Sequence, residues 1–386
     1  MHRREVFHSH FLPSFDFMHD TRQRALGHAV RAVVQRGAAL SVTSIGRCWG
    51  SAAGTKHAIK AADRLVGNRH LAAEAEAVYQ RLVARILAPY SQPVILVDWS
   101  DAHPDRQMQI LRATVCFARR SLVLYEQVFR LSQYNSHKAH RRFLRGLARI
   151  LPEGVVPILV TDAGFRNPWF RAVRAMGWHF LGRVRSTVQW CGIEQACWQT
   201  LPELHAQTRR RAQALGRGRL AREQSMEGHL YLASRPHKTR GKAAGGSHSR
   251  NDQRHRKSHW QPWVLFSSLD RPATEIISIY RQRMSIEAGF RDLKSARFGL
   301  GMEYGRVSTL ARLTVLLLIA ALAIWVLAWI GWLARQAGIS RRLQANTVRH
   351  TEVLSVSTIA RILFRRPEWG EWLRQCRWNE KFVGIG

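Results

Sequence analysis

Acidic residues are scarce in this chain: 26 Asp and Glu stand against 60 Lys and Arg among 386 residues, a formal charge of +34 at pH 7. A surplus of that size repels itself in the folded state, and nucleic acid is the commonest polyanion that neutralises it. Cysteine is scarce too. The five present (Cys48, Cys116, Cys191, Cys197 and Cys376) are odd in number and widely scattered, which excludes a disulfide scaffold. With no recognisable secretory leader, the expectation is a protein of the reducing cytoplasm. The stretch CGIEQAC at 191–197 lacks the CxxC pair of a zinc site. Neither a G-x-x-x-x-G-K-[ST] loop nor a G-x-G-x-x-G turn occurs, which argues against ATP use. A hydrophobic content of 46% excludes a disordered basic tail, and the length suggests two or three domains.

Long apolar runs are also few. The one that stands out is LTVLLLIAALAIWVLAWIGWLA, Leu313 to Ala334, whose 22 uncharged residues would reach across a bilayer. Arg306 and Arg312 precede it, and Arg335, Arg341 and Arg342 follow it, so there is no positive-inside asymmetry. A helix apolar all round is equally at home in the centre of a large soluble domain. The core reading is favoured, with a basic membrane-associated protein as its rival.

Residues 1–90 have helical patterning and a cationic face (Lys56, Lys60, Arg64, Arg69), readable as a DNA-binding region or a solvated face. From residue 93 the texture changes. PVILVDWSD is a buried strand broken by Asp98, ILRATVCFARRSLVLYEQVF is two strands about Ala118-Arg119-Arg120, and SHKAHRRFLRGLARIL has helical spacing up to Pro152. VVPILVTDAGF repeats the theme of a buried strand ending in a carboxylate, Asp162, before a helix near Pro168. WHFLGRV adds a strand, giving an α/β order. Between about 186 and 262 the chain turns polar and basic without hydrophobic periodicity, ending in RPHKTRGKAAGGSHSRNDQRHRKSH. That reads as an insertion or mobile loop, either a linker or an arm that tracks phosphates. WVLFSSL resumes strand character, and one helix is expected from about Ala273 to Ala296. The expected domains are 1–90, 91–310 with the insertion, and a helical 311–386 with its core helix at 313–334.

Tyr280, Arg283, Glu287 and Lys294 lie at offsets 0, 3, 7 and 14, within roughly 60° of each other on one helix. Alone, they could be a surface salt-bridge ladder. However, Asp98 and Asp162 each end an apolar strand, a costly place for a charge unless a cation accommodates it. Three carboxylates on three core elements suit Mg²⁺ or Mn²⁺, and a pair of such ions suits in-line displacement at phosphorus.

The spacing Tyr280-x2-Arg283-x3-Glu287-x6-Lys294 resembles the YREK signature of the insertion-sequence-four family of DDE transposases, and the element order resembles the RNase H-like fold. The strings LVDWSD, TDAGFRNPW, RVRSTVQ, PWVL, RDLKS and ANTVR add to the likeness from about 40 to 350. The resemblance implies an RNase H-like catalytic core with its basic insertion before the glutamate helix, flanked by helical N- and C-terminal parts. It implies Asp98, Asp162 and Glu287 as catalytic, metal-holding residues and Tyr280, Arg283 and Lys294 as phosphate contacts. Arg183 matches a basic position near the active site, or is a strand-end salt bridge; Trp263 matches a base-stacking position, or is core. The implied partners are double-stranded DNA, as terminal inverted repeats and target, and a second copy of the chain. The implied cofactors are two Mg²⁺ or Mn²⁺ ions. A non-catalytic DNA-binding descendant of such an enzyme is the alternative. Ala288 departs from the acidic residue that relatives often carry after the glutamate.

Overall fold

The computed structural model describes residues 15–50, 52, 54–185, 188–234, 261–297, 299–345, 347 and 351–376. In chain order these form helices α1 (Asp20–Arg36), α2 (Val42–Arg47), α3 (Thr55–Val66) and α4 (Arg69–Leu87), strands β1 (Val94–Asp101), β2 (Met108–Phe117) and β3 (Arg120–Arg130), and helix α5 (His137–Ile150). Next come β4 (Ile158–Thr161), α6 (Asn167–Ala175), β5 (His179–Arg183), β6 (Gln189–Gly192), β7 (Gln199–Thr200) and α7 (Leu201–Ala206). Strands β8 (Gln213–Leu220), β9 (Met226–Ala233) and β10 (Trp263–Ser267) precede α8 (Ala273–Arg281), α9 (Met284–Lys294), α10 (Leu310–Gln336) and α11 (Val356–Arg365). The architecture is mixed α/β, consistent with an RNase H-like domain. The chain divides into two compact units, one of residues 1–155 with 284–386 and one of 156–283.

In the first unit β1, β2 and β3 form an antiparallel meander in the order β3-β2-β1. The β2–β3 hairpin turns through Ala118 and Arg119, both at positive φ (47° and 65°), as a two-residue primed turn requires. Helix α5 starts where Ser136 accepts the Ala139 N–H at 3.2 Å and buries Phe143, Leu144, Leu147 and Ile150 on one stripe. The apolar run noted in the sequence is α10, and 94% of its most hydrophobic window is buried inside this unit. It packs on α1, α4, β3 and α11, and the Trp325 indole N–H donates to the Val123 carbonyl at 2.8 Å. The N-terminal helices and the C-terminal helices therefore share one core with the meander.

In the second unit the strand order is β4-β5-β10-β9-β8-β6-β7, with β4 and β5 parallel and the other pairs antiparallel. This differs from the loop expected over 186–262. Residues 188–234 build four strands and a helix, because alternate positions such as Trp190, Leu220, Met226, Leu230 and Leu232 are buried while Arg217, Arg219 and Glu227 face outward. Small and charged residues at the exposed positions, Ala214, Gly216, Arg217, Arg219 and Glu227, hid that period-2 pattern. The most basic part of the expected arm, RPHKTRGKAAGGSHSRNDQRHRKSH, lies outside the described residues.

One expected element is corrected. The helix over 273–296 is two helices, α8 and α9, broken at Gln282 and Arg283, where Gln282 N–H bonds the Ile279 carbonyl and Arg283 N–H bonds that of Tyr280. No Pro or Gly causes the break. Ile276, Ile277, Ile279 and Tyr280 are buried in the second unit, with α8 against β5, β8 and β9, whereas Ile286, Phe290 and Leu293 are buried in the first, with α9 against β1, β2 and β3. Each half follows its own core, so Tyr280, Arg283, Glu287 and Lys294 are not one straight helical stripe.

Candidate active site

The first unit carries Asp98, Glu287 and Lys294. Strand β1 is fully buried over Ile95–Val97 and half-buried from Asp98 onward, so the first carboxylate stands where the strand leaves the core. Its Oδ1 accepts the Trp99 backbone N–H at 2.9 Å. The Trp99 indole in turn donates to His140 Nε2 at 3.2 Å, and its ring meets Phe129 and Tyr134 edge-on at 5.3 Å each. Burial pushes the His140 imidazole down to about 4, which keeps it neutral and able to accept that bond.

Glu287 occupies the first turn of α9, half-buried beside the apolar stripe of Ile286, Phe290 and Leu293. Two contacts fix this helix to the strands. The Phe290 ring lies 4.5 Å from the guanidinium carbon of Arg112, and Lys294 Nζ donates to Ser100 Oγ at 2.7 Å, tying the last turn of α9 to β1. Burial lowers the Lys294 ammonium, with Asp101 acting in the opposite sense. Gly289 sits so close to β3 that a Cβ there would collide with Ser121 Oγ; glycine leaves room for that hydroxyl.

Arg112 was not anticipated. It faces Asp98 in the β1–β2 register, is 0% exposed, and pairs with Glu126, whose other oxygen accepts from the Tyr79 hydroxyl at 3.2 Å. Burial raises the Glu126 carboxyl and Arg112 draws it back down. A cation inside ILRATVCF was the visible signal, of the same kind as a carboxylate inside PVILVDWSD.

The second unit carries Asp162, Arg183, Trp263, Tyr280 and Arg283. Asp162 follows the last residue of β4, half-buried, with Oδ1 accepting the Gly164 N–H at 2.8 Å in a tight turn. The Tyr280 phenol is 3% exposed and its ring meets Trp263 edge-on at 5.0 Å. Burial raises its pKa, and Asp162 adds to that, while Arg283, Arg183 and Arg185 oppose it. The phenol is thus a protonated donor among guanidinium groups and one carboxylate. Arg183, the last residue of β5, is 7% exposed and donates to the carbonyls of Gln261 and Pro262 at 3.3 and 3.4 Å. Trp263 is 6% exposed. Its ring is packed as core, and a stacked base would need it uncovered.

Asp98, Asp162 and Glu287 each offer only carboxylate oxygens, the kind of ligand a hard divalent cation takes. Among the described residues no three His, Cys, Asp or Glu side chains are gathered closely enough to hold an ion.

The family comparison decides what this arrangement belongs to. Residues 89–326, well over half of the chain, match the Transposase DDE domain. The chain belongs to the DDE transposase family. The matched span runs from before β1 into α10 and includes Asp98, Asp162 and Glu287. No curated protein matches the chain. Membership in this transposase family makes DNA the partner, DNA cutting and strand transfer the suggested chemistry, and divalent metal ions the general cofactor. It also suggests a soluble, cytoplasmic protein, in keeping with the burial of α10.

Proposed function

We propose that the chain is a cut-and-paste transposase of an insertion sequence, with Asp98, Asp162 and Glu287 as its catalytic carboxylates. The observation that carries the reading is the match of the transposase domain over a span in which Asp98 stands where β1 leaves the core, Asp162 directly follows β4 and Glu287 lies in the first turn of a packed helix. The YREK spacing supports placement in the insertion-sequence-four family, and the strings LVDWSD and TDAGFRNPW are similar to the transposase of a tetracycline-resistance composite transposon.

In this reading the three carboxylates hold two Mg²⁺ or Mn²⁺ ions, which when bound supply an activated nucleophile and a stabilised leaving oxygen. The chain's own groups position the strand. Lys294, held by Ser100, Arg283, and the protonated Tyr280 phenol supply donors for non-bridging phosphate oxygens, and Arg183 adds positive charge. Hydrolysis at the element end frees a 3′-hydroxyl, which attacks the opposite strand to form a hairpin on the transposon end. Reopening of the hairpin and strand transfer into target DNA complete the reaction. Trp263 is the residue proposed to receive the base that such a hairpin extrudes, on condition that its ring becomes uncovered. Synapsis of two inverted repeats requires a homodimer on DNA, and the protein is placed with the bacterial nucleoid.

The test incubates the protein and Mg²⁺ with a duplex ending in the element's terminal repeat. Wild type is expected to give nicked and hairpin products. Asp98→Asn, Asp162→Asn and Glu287→Gln are each expected to lower cleavage by about a thousandfold or more while sparing DNA binding. Binding without any cleavage by wild type would favour the non-catalytic alternative, and normal yield from one variant would remove that residue from the site.

A further inference from the structure

The geometry points to the exposed face of α5 as a track for the DNA backbone, an inference that rests on the transposase reading. From Gln127 to Pro152 the chain has six Lys and Arg and no Asp or Glu. Lys138, Arg141, Arg142 and Arg145 all point to solvent, while His140, Phe143, Leu144 and Leu147 form the buried face. Among the described residues none of these four cations forms an ion pair, whereas Arg149 at the end of the same helix is taken up by Glu76 at 2.5 Å.

The four are spaced as i, i+3, i+4 and i+7, so each has like-charged neighbours at the two separations where side chains on a helix meet. Such pairs destabilise a helix. Arg142 lies over the Phe129 ring and Arg145 donates to the Arg141 carbonyl, but among the described residues no carboxylate offsets the mutual repulsion, and a row of phosphates would do so from outside. At 1.5 Å of rise per residue the row is about 10 Å long, enough for about three phosphates of one strand.

Its placement connects it to the chemistry. His140, on the buried face of α5, accepts the Trp99 indole N–H, and Trp99 follows Asp98 in β1. Tyr134, 49% exposed just before the helix, lies edge-on to the same indole and gives the track an aromatic lip. The strand holding Asp98 and the cation row are thus locked to each other through one side-chain pair.

The experiment measures binding of a labelled mixed-sequence duplex as a function of salt, in the Asp98→Asn background so that cleavage does not intrude. Neutralising the row with Lys138→Gln, Arg141→Gln, Arg142→Gln and Arg145→Gln is expected to flatten the slope of log K against log salt by about 3, because each of about three lost phosphate contacts removes about 0.9. The charge-keeping set Lys138→Arg, Arg141→Lys, Arg142→Lys and Arg145→Lys is expected to keep the original slope. The melting temperature of the neutralised protein should be equal or higher, since the repulsion is gone. An unchanged slope in the neutralised protein overturns the inference while leaving the transposase reading intact. So does a loss confined to binding of anionic lipid vesicles. Failure of wild type to bind or cut DNA at all would count against the transposase reading itself.

Discussion

His140 and Gly289 lie outside the proposed chemistry, yet each helps fix where a proposed catalytic carboxylate stands. The folded His140 imidazole takes up its proton near pH 4, against 6.5 in an unfolded chain. Between those values the unfolded state binds more protons, so stability is complete above about 6.5 and falls as the pH drops toward 4. The full loss is about 3 kcal/mol. Denaturation midpoints across that range should show this decline in wild type, and a flatter profile in His140→Gln; parallel profiles would exclude the imidazole as the cause. Gly289→Ala is expected to cost about 1–3 kcal/mol and to slow cleavage, because Ser121 must turn its hydroxyl away or α9 must shift from β3 and take Glu287 with it. Adding Ser121→Ala should restore much of both, since the nearest remaining atom, the Cβ of residue 121, is at 3.4 Å. A double variant no better than the single would refute this contact as the reason.

Among the elements, the β2–β3 hairpin carries a removable cost. Ala118 and Arg119 both have positive φ, which suits Asn-Gly far better, so Ala118→Asn with Arg119→Gly is expected to raise stability by about 1 kcal/mol. A fall in the unfolding midpoint would contradict the turn type. That hairpin, α5, and strands β1, β4, β5 and β10 were legible because each buries a whole face and the alternation or 3.6-residue period survives in the apolar residues. Strands β6 to β9 were not, because β6 and β7 are short and β8 exposes Ala214, Gly216, Arg217 and Arg219, so few apolar residues mark a period. The break between α8 and α9 was invisible for a different reason. It has no local signal, only two cores that each bury one half of a continuous helical pattern. The candidate site was legible to the same extent. Carboxylates interrupting apolar strands reveal Asp98 and Asp162, but nothing in spacing reveals that Trp263 and Tyr280 are packed against each other or that Arg112 backs Phe290.

For the molecule as a whole, the long apolar helix decides between a soluble enzyme and a membrane protein. Every side chain from Val315 to Ile330 is buried, and Gly331 lets α11 approach so closely that a Cβ would collide with the Val356 carbonyl. Trp325→Ala should therefore lower stability by about 3–5 kcal/mol in a denaturant titration. A change under about 1 kcal/mol would mean that the indole is not part of a packed core. A high-salt wash of lysed cells should release the wild-type chain from particulate material, since charge and not insertion holds it there. Retention in the membrane pellet would overturn the core assignment. The central claim is that Asp98, Asp162 and Glu287 act as a set on shared divalent ions, and Mn²⁺ binding to the protein–DNA complex, followed by electron paramagnetic resonance, tests it most directly. The account predicts that Asp98→Asn, Asp162→Asn and Glu287→Gln each weaken Mn²⁺ binding by at least about tenfold, with DNA still bound. Wild-type Mn²⁺ affinity in all three variants would contradict it.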